Sequence, residues 1–233
     1  EWRLSYWTDC LVCINGEDYK RAVNRFHAKN VVQIPGVGIN SKEIEAQAVD
    51  VKKKREELGL STEAIVILSV GEMTKNKNQE LIIRTVSEYK KKGEKICYAL
   101  CGKGTEEEHL RGLVAELGGY HKDIYEVYKM ADIFVFPSLR EGMPVALMEA
   151  MASGLPVICS DIRGNRDLLE NEKGGVLVEG HKVEDYVKAL EWMVENKISW
   201  EKMGDFNRRK AEKFDKKNVV GIMEKMYEAV KQK

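Results

Sequence analysis

The sequence predicts an α/β fold, a parallel sheet with helices on both faces, and three observations carry that expectation. Short apolar runs alternate with helical patterns from residue 65 onward, the rhythm of strand–helix–strand units. The runs are almost wholly apolar, as in Ile65-Val-Ile-Leu-Ser-Val70, which marks strands covered on both sides. Several stop at a breaker, Gly71, Gly102 or Pro137, where a loop must begin.

Taken in order, Ile65 to Val70 reads as a strand and Asn78 to Lys92 as a helix. Ile96 to Cys101 is the next strand. A helix from Thr105 to Leu117 follows, with Thr105 as N-cap and Glu108 at the capping-box spacing. Ile124 to Met130 is a short helix, Ile133 to Phe136 a strand, Pro144 to Ala152 a helix, and Val157 to Ser160 a strand. Asn165 to Asn171 is helical and Gly175 to Val178 is the last strand. The tail is helical over Val183 to Glu195, Trp200 to Phe214 and Lys217 to Lys231. Before residue 40, a strand (Cys10 to Asn15), a helix (Glu17 to Phe26) and a strand (Val31 to Ile34) lead into the turn-rich joint Pro35-Gly-Val-Gly-Ile39. That segment reads as the end of one α/β domain, and a start at Glu1 without Met reads as a fragment.

Lysine plus arginine and aspartate plus glutamate each total 38, so no whole-chain basic field exists to hold nucleic acid. The basic runs Lys52-Lys-Lys-Arg55 and Lys90-Lys-Lys92 read as solvated helix faces. No apolar run reaches the roughly 20 residues needed to cross a bilayer. The five cysteines, an odd number mostly within strand-like runs, suggest free thiols in a reducing compartment. Cys10-Leu-Val-Cys13 lacks a second pair, and His27, His109, His121 and His181 show no ligand spacing, so no metal site is expected.

In an open parallel sheet, ligands bind beyond the carboxyl ends of the strands. The loop after Phe136 is therefore informative: Pro137-Ser-Leu-Arg-Glu-Gly-Met-Pro-Val-Ala-Leu-Met-Glu149. Gly142 lets a ligand approach the backbone. Pro144 suits a first helical position, and the N–H groups after it are unpaired donors at the positive end of a helix, an anion site. Glu141 and Glu149 lie eight residues apart, slightly over two turns, so both carboxylates can face one side of a cleft. Spacing alone leaves two readings open, a nucleotide seat or a capped helix with two exposed glutamates. The loop Gly71-Glu-Met-Thr-Lys-Asn-Lys77 suits phosphate contact, though lysines at helix starts are common. Gly102-Lys-Gly104 lacks a third glycine and is either a tight turn or a base-contacting loop, not a dinucleotide fingerprint.

Together, S-V-G-E-M-T-K-N-K-N, A-D-I-F-V-F-P-S-L-R-E-G-M-P-V-A-L-M-E-A-M-A-S-G-L-P-V and S-D-I-R-G-N-R-D-L-L resemble the family-four (group 1) glycosyltransferases of the bacterial capsule and exopolysaccharide branch. The E-x7-E pattern is the hallmark. The resemblance implies a GT-B fold, two Rossmann-like domains, of which this chain holds the C-terminal half. Residues 1–37 would be a remnant of the acceptor-side domain and linker, 38–215 the nucleotide-sugar donor domain, and 216–233 a C-terminal helix.

The resemblance further implies sugar transfer with retention, without an essential metal or other cofactor, from a nucleoside diphosphate sugar to a growing or lipid-linked glycan. A UDP-sugar is the expected donor, and a hexosyl or N-acetylhexosaminyl group the expected cargo. Glu149 would hold the ribose, Glu141 would lie near the transferred sugar, and Gly142, Met143 and Val145 would offer N–H groups. Lys77, beside Gly71 and Glu72, would neutralise the diphosphate, while Gly102, Lys103 and Tyr120 (with His121 and Lys122) would flank the base. The implied location is cytoplasmic, with peripheral contact at the inner face of the membrane through the other domain. Two positions depart from the family pattern: Glu72 stands where many members carry arginine, leaving Arg140, Arg163 and Arg166 as candidate second cations. Leu117-Gly-Gly-Tyr120 is shorter than usual. These departures keep a non-catalytic nucleotide-binding module open as an alternative, beside a GT-B sugar-nucleotide epimerase.

Overall fold

The computed structural model describes residues 1–113 and 124–231. A 3-10 turn at Leu4–Trp7 precedes β1 (Cys10–Cys13), α1 (Gly16–Arg25) and β2 (Asn30–Gln33). β1 and β2 pair in parallel as a two-stranded sheet of their own. After the glycine joint come α2 (Ser41–Ala46), α3 (Val51–Glu57), β3 (Ile65–Val70), α4 (Gln79–Lys90), β4 (Ile96–Cys101), α5 (Glu107–Leu113) and α6 (Ile124–Met130). Then follow β5 (Ile133–Phe136), α7 (Val145–Ala152), β6 (Val157–Ser160), α8 (Asn165–Leu168), β7 (Gly175–Val178), α9 (Val183–Glu195), α10 (Trp200–Ala211) and α11 (Lys216–Lys231).

Strands β3 to β7 form one sheet in the order β4-β3-β5-β6-β7, every pair parallel. The chain winds outward from β3 to β4, then crosses back to β5 and proceeds the other way. The order thus reverses between β3 and β5, the place where an open parallel sheet leaves a crevice. Continuous apolar runs are needed because successive side chains point to opposite faces and both are covered. Val66, Leu68, Phe134, Phe136, Val157 and Cys159 join one core with Tyr128, Leu147, Met148 and Met151. Ile65, Ile67, Ile133, Val135 and Ile158 join the other with Ile82, Val86, Tyr186 and Leu190.

Several boundaries differ from the sequence expectation. α5 starts at Glu107, beyond Thr105, because Glu106 donates its N–H to the Met73 carbonyl and ties this turn to the loop after β3. Pro144 is the N-cap of α7, with ψ of 120°, so Val145 is the first helical residue. α8 ends at Leu168, and a 3-10 turn (Glu212–Phe214) separates α10 from α11. The part of the Thr105 to Leu117 helix beyond residue 113 lies outside the described residues, as does the short Leu117–Tyr120 region.

The basic run at Lys52–Arg55 is not a solvated face throughout. Arg55 is buried, and its guanidinium donates to the Met130 carbonyl (2.9 Å), the Ala64 carbonyl (3.3 Å) and Asp132 Oδ2 (2.8 Å). Asp132 Oδ2 also accepts the Val66 N–H at 2.7 Å, so one ion pair joins α3, β3 and the entry to β5. Where the chain enters and leaves the large sheet, Ile39 and Asp215 bridge in parallel: Ile39 donates to the Phe214 carbonyl and Lys216 to the Ile39 carbonyl. Removing one partner of a buried, hydrogen-bonded charge leaves the other stranded. Arg55→Met should therefore cost about 3 kcal/mol in urea unfolding, against under about 0.5 kcal/mol for Lys52→Ala.

Candidate functional site

The site is assembled from loops at the carboxyl edge of the sheet. Gly71 donates its N–H to the Cys101 carbonyl (3.0 Å) and Met73 to that of Lys103 (2.9 Å), which continues the pairing of β3 and β4 past their ends. Gly102 has φ of +153°, and a Cβ there would overlap the Gly71 carbonyl oxygen. The Gly102-Lys-Gly104 element is thus a close backbone approach between two loops.

The loop after β3 is equally fastened to the loop after β5. Leu139 donates to the Asn76 carbonyl (2.8 Å), and Asn76 Nδ2 donates to the Arg140 carbonyl (3.0 Å). Gln79 Nε2 holds the Glu72 carbonyl at 3.0 Å, while the Glu72 side chain stays exposed. This scaffold sets Lys77 Nζ 2.6 Å from Glu141 Oε1, with side-chain exposures of only 21% and 11%. Lys77 Nζ also stands 4.8 Å from the centroid of the Phe136 ring. Lys77 and Glu141 form a fixed ion pair, and the ammonium, with three N–H donors, can still serve a second acceptor.

Beside it lies the start of α7. Met148 is the first residue of the helix to donate backward, to the Pro144 carbonyl at 3.2 Å. Among the described residues, the N–H groups of Val145, Ala146 and Leu147 have no backbone acceptor, as expected of a first turn. Gly164, with φ of +85°, backs the loop so closely that a Cβ would strike the Gly142 carbonyl. A Cβ on Gly142 would sit 3.1 Å from Ile14 Cδ1, so the segment after β1 forms the neighbouring wall. The Met143 side chain is buried beneath Gly36, leaving its backbone as the part available to a ligand.

Glu149, on the second turn of α7, does not share the environment of Glu141. Its Oε2 accepts from the Tyr128 hydroxyl at 3.2 Å, and that hydroxyl lies equally far from the Ala146 carbonyl. Burial raises the Glu149 pKa, opposed by the Tyr128 hydrogen bond. Burial also lifts the Cys101 thiol to about 11 and the Tyr128 phenol well above its ordinary value, so both stay neutral near pH 7.

Of the candidate second cations, Arg163 pairs with Asp18 of α1 (2.7 Å) and Arg166 with Asp161 (2.5 Å). The Arg140 side chain is exposed and, among the described residues, has no carboxylate partner. Lys103 is exposed at the rim. Tyr120, His121 and Lys122 lie outside the described residues. Sequence reasoning missed Tyr128, whose spacing within α6 signals only a core aromatic. All five cysteines are free, and among the described residues no group of three or more His, Cys, Asp or Glu is placed to hold a metal ion.

The group 1 glycosyl transferase family matches residues 50–212. The chain belongs to that family. EpsD of Bacillus subtilis (strain 168), whose name carries a provisional glycosyltransferase assignment, is 28% identical over 236 residues, covering 97% of this chain and 62% of EpsD. The Escherichia coli UDP-Gal:alpha-D-GlcNAc-diphosphoundecaprenol alpha-1,3-galactosyltransferase is 30% identical over 210 residues, 82% of this chain and 52% of that enzyme. The chain therefore spans a little over half the length of these relatives. Anabaena HepE, solved in complex with UDP, superimposes with a TM-score of 0.84 at 16% identity, over 99% of this chain and 65% of HepE. The likeness confirms the GT-B type of fold, a Rossmann-like sheet.

Because burial raises the Glu149 pKa, the folded chain holds that proton more tightly than the unfolded chain does. Glu149 then favours folding at pH values below the ordinary carboxylate range, and this contribution is lost as pH rises through the raised value. Glu149→Gln, whose amide oxygen can still accept from Tyr128, should melt higher than the parent at neutral pH. The advantage should shrink toward about pH 4 in thermal unfolding scans.

Proposed function

We propose that this chain is the donor-binding half of a retaining glycosyltransferase that uses a nucleoside diphosphate sugar, with UDP the favoured nucleotide. The observation that carries the reading is the placement of Lys77 Nζ against Glu141 beside the unpaired first turn of α7. A diphosphate needs fixed positive charge and several N–H donors, and this corner offers both. The UDP in HepE and the UDP-galactose in the name of the E. coli relative support the choice of uridine.

In the proposed reaction, the bond between the sugar C1 and the diphosphate oxygen breaks while an acceptor hydroxyl oxygen bonds to C1 on the same face; the hydroxyl proton passes to the leaving diphosphate, on which negative charge develops. Lys77 and the N–H groups of Val145 and Ala146 would stabilise that charge without a metal ion; Gly142 and Met143 would present backbone to the sugar. Glu141 would hold Lys77 in place and lie beside the transferred sugar, a hexose or N-acetylhexosamine. Glu149 would accept hydrogen bonds from the ribose. Gly71, Glu72, Gly102, Lys103 and Tyr120 would border the nucleotide, with Arg140 supplying the second cation that Glu72 does not.

We place the acceptor, a growing polysaccharide or lipid-linked glycan, against a domain to which residues 1–37 belong, with 38–215 as the donor domain and 216–233 as the closing helix. The chain alone would then bind donor and turn it over poorly.

Titration of the chain with UDP, GDP and ADP should give tightest binding for UDP; no binding of any at millimolar ligand would sink the donor-site reading. In the full-length enzyme, Lys77→Ala should lower the transfer rate by about 100- to 1,000-fold. Unchanged transfer would remove Lys77 from the mechanism.

A further inference from the structure

We propose that Tyr128 is a positioning residue for the donor ribose: its hydroxyl fixes the Glu149 carboxylate so that Oε1 is left to take the ribose hydroxyls. This rests on the donor-site reading above and adds a residue to it. Tyr128 is fully buried, and its ring packs against Phe134 with centroids 5.8 Å apart. The phenol cannot swing away, so its hydroxyl is a fixed point between α6 and α7. That hydroxyl has one proton and two acceptors at 3.2 Å, Glu149 Oε2 and the Ala146 carbonyl. The Ala146 carbonyl lies within α7, where helical pairing supplies a donor, whereas no other hydrogen bond to the Glu149 carboxylate is formed among the described residues. An ionised acceptor outcompetes a neutral one, so the proton goes to Glu149.

A glutamate side chain has three rotatable torsions, and an untethered carboxylate would have to be ordered by each arriving ligand. Tethering one oxygen removes that entropic cost before binding. The other oxygen then serves as acceptor toward the cleft. Tyr128 would therefore affect the part of the affinity that comes from the ribose hydroxyls and leave the diphosphate part untouched.

The test compares UDP with 2′,3′-dideoxy-UDP by calorimetric titration of the parent chain, Tyr128→Phe, Glu149→Gln and the double variant. The phenylalanine keeps the ring against Phe134, and ligand-induced thermal shifts give the same ratio should a variant be too dilute for calorimetry. The parent should prefer UDP by about tenfold or more, the scale of one charged hydrogen bond. Tyr128→Phe should reduce that preference to about threefold or less, with dideoxy-UDP affinity held within about twofold. In the Glu149→Gln background, Tyr128→Phe should change nothing further. An undiminished preference in Tyr128→Phe, or equal weakening of both nucleotides, would overturn the positioning role while leaving the donor site standing. A parent chain that binds neither nucleotide would sink the donor-site reading, and one that binds both equally would remove Glu149 from the ribose; either takes this inference with it.

Discussion

Everything at the carboxyl edge depends on bare backbone meeting bare backbone. Gly102 lies on the Gly71 carbonyl, and Gly164 lies on the Gly142 carbonyl. At both contacts one methyl group would force the loops apart, and at Gly164 the left-handed φ excludes most other residues as well. These contacts bring four separate loops to one place. Side chains can then be short of conformational freedom: Lys77 reaches Glu141 because the loop that carries it is already tied down through Asn76 and Gln79. Charge placed on such a frame needs little rearrangement to meet an anion, which is the property electrostatic catalysis requires.

The two glutamates of the E-x7-E pattern are differently housed. Glu141 faces a cation and shares its pocket; Glu149 faces a phenol that stays neutral, and burial raises its pKa. The first environment suits a group that works with charge, the second a group that accepts neutral hydroxyls. A single helix start thus offers two chemistries a short distance apart, because α7 carries one carboxylate into the core side of the cleft and leaves the other on the loop before it.

The large sheet was legible in the sequence because each of its strands is a run that only a doubly covered position tolerates. The start of α7 was legible because glycine and proline mark a helix start locally. Arg55 was not legible: it stands in a run of lysines, and its partners at Met130 and Asp132 are joined to it only by the fold. Tyr128 was hidden for the same reason, since nothing in Tyr-Glu-Val-Tyr-Lys-Met distinguishes a phenol that ends on Glu149 from one that merely fills space. The helix α2 escaped notice because it is short and mostly polar, and its order comes from packing, whereas α3 was legible only as the helix face carrying the Lys52–Arg55 run. The pairing of Arg163 with Asp18 likewise needs the 1–37 segment folded against α8.

The bridge between Ile39 and Asp215 means that the stretch carrying the five-stranded sheet begins and ends at the same spot. Such a stretch is topologically a loop closed by one pair of backbone hydrogen bonds. Its natural ends could be joined and new ones cut at an exposed turn, or the whole could be spliced into a host protein at a single surface site, with the order of strands in space unchanged.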